Sequence, residues 1–416
     1  MPQPAVPSTI FPSERRSLGI ARETTPGTPV QPANTVPVKG FVPEDKVTGL
    51  IDESLRSAMA AQYGYTQGVY VADITVDASP VYLDTLPNFI WNALGDYVAS
   101  GTESGTITTT INFSAGYAAG TSGAITITSG SGFGAGYVQL GTSTTSEIVN
   151  ITGATATSAT IATTTPTRFA HANTAAITQV VAPFTHQFSL LNGTGNCQPP
   201  TMTVTDLNYI NADLARWYPS ACFSEIELTG NADQIFMWSG KGMGWANSHP
   251  GTIPTVNVST VPQQPAWNSQ VGLGGTVSGS PVYQIGEWSV SLTRVVEAYF
   301  TADGSQNPFV IGRGKFSSAG KLNFAPTIDE SPLLDLLNNT QPQLQIIQTN
   351  GLAGASKVSM QIDIATAAFE TSVIEASKAL LGYNTTYTAI ANTTNTGNSA
   401  GYSPLMITIV NAVPYY

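Results

Sequence analysis

Ser399 is the residue of this 416-residue chain whose setting comes nearest to a catalytic motif. It stands in GNSAG, residues 397–401, which matches the Gly-x-Ser-x-Gly pattern around nucleophilic serines. Such a serine needs a strand before it, a helix after it and a histidine later in the chain. Here Asn and Thr residues precede the motif, a strand-like run follows it, and the last histidine is His249. The sequence therefore predicts a polar turn at Ser399.

Glu225 and Glu227 are a pair of carboxylates that could act as acid and base at a glycosidic bond. Side chains two positions apart on a strand lie on the same face, so the two carboxylates would be neighbours. The sequence around them contains no aromatic platform for a sugar. We therefore expect the pair to belong to an acidic surface, and a glycan-cleaving or glycan-binding site is the alternative.

Candidate ligands for metals and cofactors are also few. The segment DGSQN from Asp303 has oxygen-bearing side chains at alternate positions, as a calcium loop has, but Gly314 stands at the twelfth position, where a carboxylate belongs. His171, His186 and His249 are far apart in sequence and lack the short spacing of zinc ligands. The glycine-rich segments GLGGTVSG and GKGMGW open no helix that could hold a phosphate. We expect no catalytic, cofactor-binding or metal-binding residue.

Cys197 and Cys222 are the only cysteines, and their spacing fits neither a CxxC motif nor a zinc site. We expect two free, buried thiols, as is usual for proteins made in the cytoplasm. The start of the chain lacks an apolar run of signal-peptide length, and no stretch approaches eighteen consecutive apolar residues. Secretion by the common route and membrane spanning are therefore not expected.

The composition favours burial against other protein surfaces over binding of nucleic acid. Hydrophobic residues make up 42% of the chain, whereas only 10% of residues are charged. A net charge of −11 with scattered basic residues argues against a surface that grips phosphates. DNA that passed an acidic wall would instead be repelled and would slide.

Two segments have the pattern of helices. In DTLPNFIWNALGD, Pro87 falls in the first turn, Gly95 can supply a left-handed end, and the apolar residues recur at helical spacing. A second helix is predicted to begin at Ser331, with Pro332 at its first helical position, and to end at Asn338-Asn339 before Pro342.

Most other segments alternate apolar and polar residues, as strands do. These are TMTVTDL, CFSEIELTG, QIFMWSGKGMG, GEWSVSLTRVVEAYF, KVSMQIDIATAAF and PLMITIVNAV. The predicted fold class is mainly β, a sandwich or barrel with two accessory helices.

The composition changes along the chain and suggests four parts. Residues 1–40 are rich in proline and predict an extended arm; residues 41–100 begin the main β-domain, with a long loop or distorted hairpin from 42 to 70. Residues 101–181 contain only three charged residues and several short strand patterns, which predicts an inserted small β-domain. Residues 182–416 complete the main domain. Insertion is tolerated because the entropy of loop closure grows only slowly with length.

Several sequence segments, in the order in which they occur along the chain, resemble segments of the siphophage tail tube protein family. TADGSQNPFVIGRGKFSSAGKLNF, ESPLLDLLNNTQPQL and NTTNTGNSAGYSPLMITIVNAV are similar to its closing strands, helix and final hairpin. GIARETTPGTPVQPANTVPVKGFVPEDKVTGLIDESLRSAMAAQYG is similar to its opening strand and long loop. The segment from APFTHQF to GKGMGW, residues 182–245, continues the match. The resemblance covers about residues 15–100 and 182–416, and residues 101–181 lie outside it.

This resemblance implies a structural virion protein, not an enzyme. Its subunits would form hexameric rings that stack into a hollow tube around a tape-measure protein, between tail terminator and tail tip proteins. Genomic DNA would pass through the tube without tight binding, and the protein would be made in the cytoplasm of the bacterial host. A head-decoration or tail-fibre protein is the alternative within virion proteins.

The resemblance also suggests where subunits would meet. In this family the long loop reaches an adjacent ring, so Asp52, Glu53 and Arg56 are candidates for inter-ring contacts. Glu225 and Glu227 are candidates for an acidic surface or for the wall of the bore. The inserted domain is expected to project outside the tube, because it would obstruct the bore.

Overall fold

The computed structural model describes residues 15–54, 56–57, 59–152, 160–163, 166–192, 195–208, 215–249, 256–282, 284–325, 331–377 and 380–416. Within these residues the fold is mainly β, with two α-helices, α1 (Leu86–Leu94) and α2 (Ser331–Leu337). The predicted fold class is therefore confirmed. Residues 1–14 of the predicted arm lie outside the described residues.

In the described part of the chain, twenty-three strands form two large sheets and one small one. They are β1 Arg16–Arg22, β2 Asn34–Val36, β3 Phe41–Asp52, β4 Gly64–Pro80, β5 Gly95–Thr110, β6 Gly123–Thr126, β7 Gly136–Leu140, β8 Glu147–Ile151, β9 Thr160–Thr163, β10 Ala176–Leu190, β11 Met202–Asn208, β12 Arg216–Asn231, β13 Met237–Gly244, β14 Asn257–Val258, β15 Ser269–Leu273, β16 Pro281–Val282, β17 Ile285–Tyr299, β18 Val310–Phe324, β19 Leu344–Thr349, β20 Ser359–Ile364, β21 Ala367–Ser377, β22 Leu380–Ala389 and β23 Met406–Asn411.

The first sheet runs in the order β14-β2-β1-β11-β12-β17-β18-β22-β21, and a branch β13-β4-β3 also begins at β12. This branch is possible because β12 is long: residues 216–221 pair with β11, and residues 222–229 pair with β13. The second sheet runs β16-β15-β19-β20-β23-β10-β7-β8, with β5 also paired to β10. Both sheets contribute to one apolar core, as in a β-sandwich.

Helix α1 was predicted correctly, and its sequence explains its position. Pro87 lies in its first turn, and Gly95 ends it with a φ of 94°, which a side chain would disfavour. Phe89 and Ile90 are fully buried in the common core. Burial of each such side chain contributes about 1.5–3 kcal/mol. In α2, which was also predicted, Leu333 and Leu336 pack on the core while Leu334 and Leu337 are exposed.

The prediction of an extended arm is wrong for residues 16–36. Strand β1 pairs with β11 on one side and β2 on the other, within the first sheet. The prolines that suggested an arm, Pro26, Pro29 and Pro32, lie in the connection between the two strands. Leu18 and Ile20, two positions apart, are both buried in the core, so this short apolar pattern outweighs the proline content around it.

Two other segments show how the strands pair. Of the two interpretations for residues 42–70, the structure has the distorted hairpin: β3 pairs with β4 from Phe41–Val76 to Asp52–Gly64, with a register shift after Val47. The segment KVSMQIDIATAAF, expected as one strand, divides into β20 and β21, which belong to different sheets.

Residues 101–181 have an apolar cluster of their own, separate from the main core. The buried members are Ile111, Tyr117, Ile125, Ile127, Phe133, Val138, Leu140, Val149, Ile151 and Ile177. However, β5 and β10 cross the predicted boundaries at 101 and 181 as continuous, mutually paired strands, with register shifts at Thr178/Val180 and Val181/Phe184. The division into domains stays a prediction, but the segment is joined to the second sheet by two strands.

Candidate functional site

The largest candidate surface is the outer face of eight antiparallel strands, in the order β3-β4-β13-β12-β17-β18-β22-β21. Inward side chains such as Ile226, Leu228 and Val290 are fully buried, so their neighbours in sequence point outward. We call these outward residues the polar face: Glu44, Lys46, Asp73, Thr75, Glu225, Glu227, Thr229, Ser239, Lys241, Glu287, Ser291, Thr293, Ser317, Lys321, Asn323, Thr386 and Thr388.

Hydroxyl groups and paired charges dominate the polar face. Cross-strand pairs such as Glu227–Ser291 and Thr386–Lys321 place these side chains opposite one another. Each of its three lysines has a carboxylate partner: Lys46 with Asp73, Lys241 with Glu225 at 2.8 Å, and Lys321 with Glu287 at 2.7 Å. Glu44 and Glu227 have no ion pair among the described residues. The polar face therefore retains unpaired negative charge.

Glu225 and Glu227 lie together on this face, as predicted, because β12 places both opposite the buried Ile226. Glu225 is ion-paired with the exposed Lys241. A general acid at a glycosidic bond needs an apolar site around it, whereas Glu225 lies on an open, hydroxyl-rich sheet face with a lysine at 2.8 Å.

Asp52, Glu53 and Arg56 lie at the tip of the β3–β4 hairpin. Arg56 forms an ion pair with Asp52, and its guanidinium stands 5.1 Å from the centre of the Tyr63 ring. Hydrogen bonds from Ser54, and then from Arg56, lower the pKa of Asp52. Glu53 is exposed. The structure thus brings these three residues to one exposed tip; their contact with another ring stays a prediction.

This hairpin is held to the tip of the β17–β18 hairpin beside it. The Tyr70 N–H donates to the carbonyl oxygen of Gln306 at 3.1 Å, and the Gln306 side chain donates to the carbonyl of Gly68 at 2.7 Å. Exposed aromatic residues lie on both hairpins, including Tyr65 and Phe309. Exposed apolar groups of this kind commonly mark surfaces that contact another protein.

Strands β3 and β21 are the two free edges of the eight-stranded part. Each pairs on one side only within the described residues, β3 with β4 and β21 with β22. Their backbone N–H and C=O groups on the other side are available to another strand. Both edges also carry exposed apolar side chains, Leu50 and Ile51 on β3 and Val373 and Ile374 on β21.

Ser399 lies in a polar turn, as predicted. Ala400 and Gly401 both have positive φ, and the Ser399 N–H donates to Asp96 at 2.8 Å. Its hydroxyl donates to the carbonyl oxygen of Leu190 at 3.2 Å, so the proton is directed at the backbone. The loop at Asp303 is likewise a turn, in which the carboxylate accepts from the Ser305 N–H at 2.9 Å.

The cysteines and histidines also have structural settings. Cys197 and Cys222 form no disulfide bond with each other; Cys222 is buried as expected, but Cys197 is only partly buried. His171 and His186 are buried, and His249 is exposed. In the part of the chain that the structure describes, no three His, Cys, Asp or Glu side chains are grouped so that they could hold a metal ion. No helix among the described residues has the length and apolar character needed to cross a membrane.

Buried arginines are the feature that the sequence analysis missed. Arg294 donates to the carbonyl of Ala93 at 2.8 Å, and Arg313 donates to that of Asn92 at 3.3 Å. Both therefore cap the end of α1, where carbonyl groups lack helical partners. Burial lowers the pKa of Arg294 to about 10. The alternation in SVSLTRVV places Arg294 on the inward side with Leu292, and this was the available signal.

No protein-family profile matches the chain, and no curated protein shows significant similarity to it.

Proposed function

We propose that this chain is the repeating subunit of a siphophage tail tube, the major tail protein of a long noncontractile tail. Copies would join edge to edge into rings, six to a ring by the resemblance, and the rings would stack into a hollow tube. The observation that carries the proposal is the eight-stranded sheet with a buried face, a polar face and two unpaired edges. A single copy leaves these edges open, whereas a closed ring leaves none.

Edge pairing gives the assembly its physical basis. Strand β3 has 12 residues and β21 has 11, so the two edges have similar lengths of about 36–40 Å at roughly 3.3 Å per residue. Pairing one copy's β3 with the next copy's β21 would satisfy the free backbone groups by strand addition. It would also bury exposed side chains such as Leu50 and Ile374. Long apolar edges of this kind otherwise promote aggregation.

The polar face suits the wall of a conduit for DNA. In the proposed ring the eight-stranded sheets of neighbouring copies would be continuous, and their polar faces would line the bore. Hydroxyl groups keep the wall hydrated, and the unpaired carboxylates of Glu44 and Glu227 would repel phosphates. A lysine that is ion-paired to a carboxylate contributes little net attraction. DNA would therefore pass without being held.

The remaining partners follow from this arrangement. The hairpin tip with Asp52, Glu53 and Arg56 would contact the adjacent ring, where charged side chains can form new pairs. The tape-measure protein would occupy the bore before DNA does, and the tail terminator and tail tip proteins would close the two ends. Residues 101–181, which are joined through β5 and β10 to the second sheet, would project from the outside.

Electron microscopy of the purified protein tests this proposal. We expect rings or hollow rods of uniform width in negative stain at high protein concentration. A head-decoration or tail-fibre protein would give separate particles or thin fibres without a central channel. A protein that stays monomeric at high concentration and is missing from purified virions would overturn the proposal.

The glycan alternative is tested separately by Glu225→Gln. An acid–base pair at a sugar requires this carboxylate, so the substitution should abolish hydrolysis of some polysaccharide if the alternative is correct. We expect no hydrolysis by the wild-type chain on a polysaccharide panel. The ion pair between Glu225 and Lys241 on an open face is the reason for this expectation.

A further inference from the structure

A cavity of about 880 Å³ opens where the loop at residues 166–169 meets the main body. Its wall includes the end of β1, the end of α1, residues 196–201 and the start of β18. Two arginines in this wall converge on one aromatic ring. The guanidinium carbon of Arg22 lies 4.9 Å from the centre of the Trp91 ring, and that of Arg168 lies 4.8 Å from it.

The Arg22 guanidinium has no hydrogen bond and no ion pair with any described residue. Arg168 uses one nitrogen to donate to the carbonyl oxygen of Tyr97, and its guanidinium also lies over the rings of Tyr97 and Phe169. The rest of the guanidinium has no hydrogen-bond partner among the described residues. A buried or half-buried arginine is normally paired with a carboxylate, because its desolvation is otherwise uncompensated. Two such groups beside one indole ring therefore form an unsatisfied cationic site.

The carboxylates nearby are already engaged by other donors. Glu23 accepts hydrogen bonds from the hydroxyls of Thr201 and Thr203 at 2.7 and 2.8 Å and from the Ser220 N–H at 2.8 Å. Asp96 accepts from the Ser399 N–H at 2.8 Å. Neither forms an ion pair with the two arginines. With Arg313 also in the wall, the cavity has three arginines against two carboxylates, in a protein of net charge −11.

The charge balance is also visible in the pKa values. Burial lowers the pKa of Arg22. Burial and, to a smaller extent, the positive charge of Arg22 together lower the pKa of Arg168 to about 10, against the opposing charges of Tyr97, Glu147 and Asp96. Both shifts mean that the protein environment disfavours the charged guanidinium groups, and a bound anion would reverse this effect.

We infer that this cavity binds an oxyanion, a carboxylate or phosphate group, between the guanidinium groups of Arg22 and Arg168. Arginine forks match the paired oxygens of such groups and hold them with two parallel hydrogen bonds. The oxyanion has two sources, a small free anion or an acidic side chain of a second copy of this chain. The free-anion source is independent of the tail tube proposal, because a free anion would bind the isolated subunit; the second-copy source requires that copies of the chain associate.

Arg22→Met is the informative substitution, because Arg22 has no described hydrogen bond that its loss would break. The matched control is Lys315→Met, which removes an exposed positive charge from β18. The first measurement is the Tm of dissociated subunits with and without 50 mM inorganic phosphate, at an ionic strength matched with sodium chloride. Phosphate also stabilises proteins generally by exclusion, so the difference between variants is the result that counts.

For a free oxyanion, we expect phosphate to raise the Tm of the wild type and of Lys315→Met by at least about 2 °C more than that of Arg22→Met. For an acidic side chain of a second copy, phosphate has no such differential effect, and Arg22→Met raises the critical concentration for assembly at least about tenfold while Lys315→Met leaves it unchanged. If Arg22→Met differs from Lys315→Met in neither measurement, the inference is overturned. Assembly of the wild type is scored separately and tests the tail tube proposal.

Discussion

Glu147 and His171 form a buried pair in which the imidazole Nε2 lies 2.7 Å from the carboxylate. The other donors to this carboxylate are the backbone N–H groups of Arg168, at 2.7 Å, and Phe169, at 3.2 Å. The Glu147 side chain of β8 thereby fixes the segment from Arg168 to His171, and this segment places Arg168 in the wall of the cavity. Three donors compensate for the burial of a carboxylate that is only 6% exposed.

Replacement of Glu147 by glutamine should destabilise the protein by about 2–4 kcal/mol. Both carboxylate oxygens of Glu147 accept hydrogen bonds. Whichever way the glutamine amide is oriented, its NH2 group therefore faces an N–H donor and at least one hydrogen bond is lost. Chemical denaturation measures the change. The control, Glu103→Gln, alters an exposed residue of β5 and should stay within about 0.5 kcal/mol of the wild type. Equal values for the two variants would contradict this account.

Replacement of Arg313 by methionine should cost about 2–4 kcal/mol, because in a buried site the carbonyls of Asn92 and Pro199 would lose their Arg313 donor and that of Pro200 would keep only the Asn92 amide. Lysine should rescue little of this loss, since a single ammonium group cannot span three carbonyl oxygens as a guanidinium does. Denaturation, together with amide exchange of α1, measures both variants. Full rescue by lysine would show that charge alone is required.

Acid should destabilise the protein through His186. Its Nε2 lies 2.8 Å from the carbonyl of Val413, which can only accept, so this nitrogen carries the proton and Nδ1 accepts from the Tyr97 hydroxyl at 2.9 Å. Burial lowers the pKa of His186 to about 4. The folded state therefore binds this proton less readily than the unfolded state, whose histidine titrates near 6.5.

The contribution of His186 to stability is complete above pH 6.5 and is lost as the pH falls toward 4, at about 1.4 kcal/mol per pH unit and about 3 kcal/mol in total. The measurement is Tm against pH from 7.5 to 4. His186→Gln should flatten this dependence, whereas His249→Gln, at an exposed histidine, should leave it unchanged. A wild-type curve with the same slope as His186→Gln would contradict the prediction.

Ile374→Lys should weaken assembly without unfolding the subunit. Ile374 is 56% exposed on the free edge strand β21, so lysine is tolerated in the single copy but would have to be buried when another strand pairs there. Leu352→Lys is the matched control, because Leu352 is 57% exposed in a loop between β19 and β20. Sedimentation should show at least a tenfold rise in critical concentration for the edge variant only. Identical behaviour of the two variants would exclude β21 from the interface.

Glu227→Lys should convert the polar face into a surface that holds DNA. In the proposed tube each copy would add one positive charge to the bore, so short duplex DNA should cosediment with the rods at low salt. Binding should weaken steeply with salt, with a slope of about 0.9 in log–log form for each phosphate contact. Glu103→Lys makes the same charge change on residues 101–181 and should retain less DNA. Equal retention would place Glu227 outside the bore.

Local patterns in the sequence were sufficient for both helices and for several long strands, but not for β1, β2 or the division between β20 and β21. The spacing of Phe89, Ile90 and Leu94 and the glycine at 95 specify α1, because helix periodicity and a left-handed end depend on neighbouring residues. Alternation along β17 and β12 likewise predicted strands, and it predicted correctly that Glu225 and Glu227 share a face. The same alternation placed Arg294 on the inward face. Its hydrogen bond to the end of α1 could not be predicted, because the acceptor, Ala93, lies some 200 residues earlier in the chain.

Pairing between strands far apart in sequence was decided only by the tertiary structure. Strand β1, residues 16–22, pairs with β11 nearly 190 residues later in the chain, and no local sequence pattern predicts which strand will be its partner. The assignment of β20 and β21 to different sheets, the free edges at β3 and β21 and the cavity with Arg22 and Arg168 have the same origin. They depend on which apolar faces pack together, and an apolar side chain gains equally from any partner that removes it from water. The sequence alone thus determined the helices, several long strands and their buried sides, and packing of the whole chain determined the remaining pairings and which surfaces remained open.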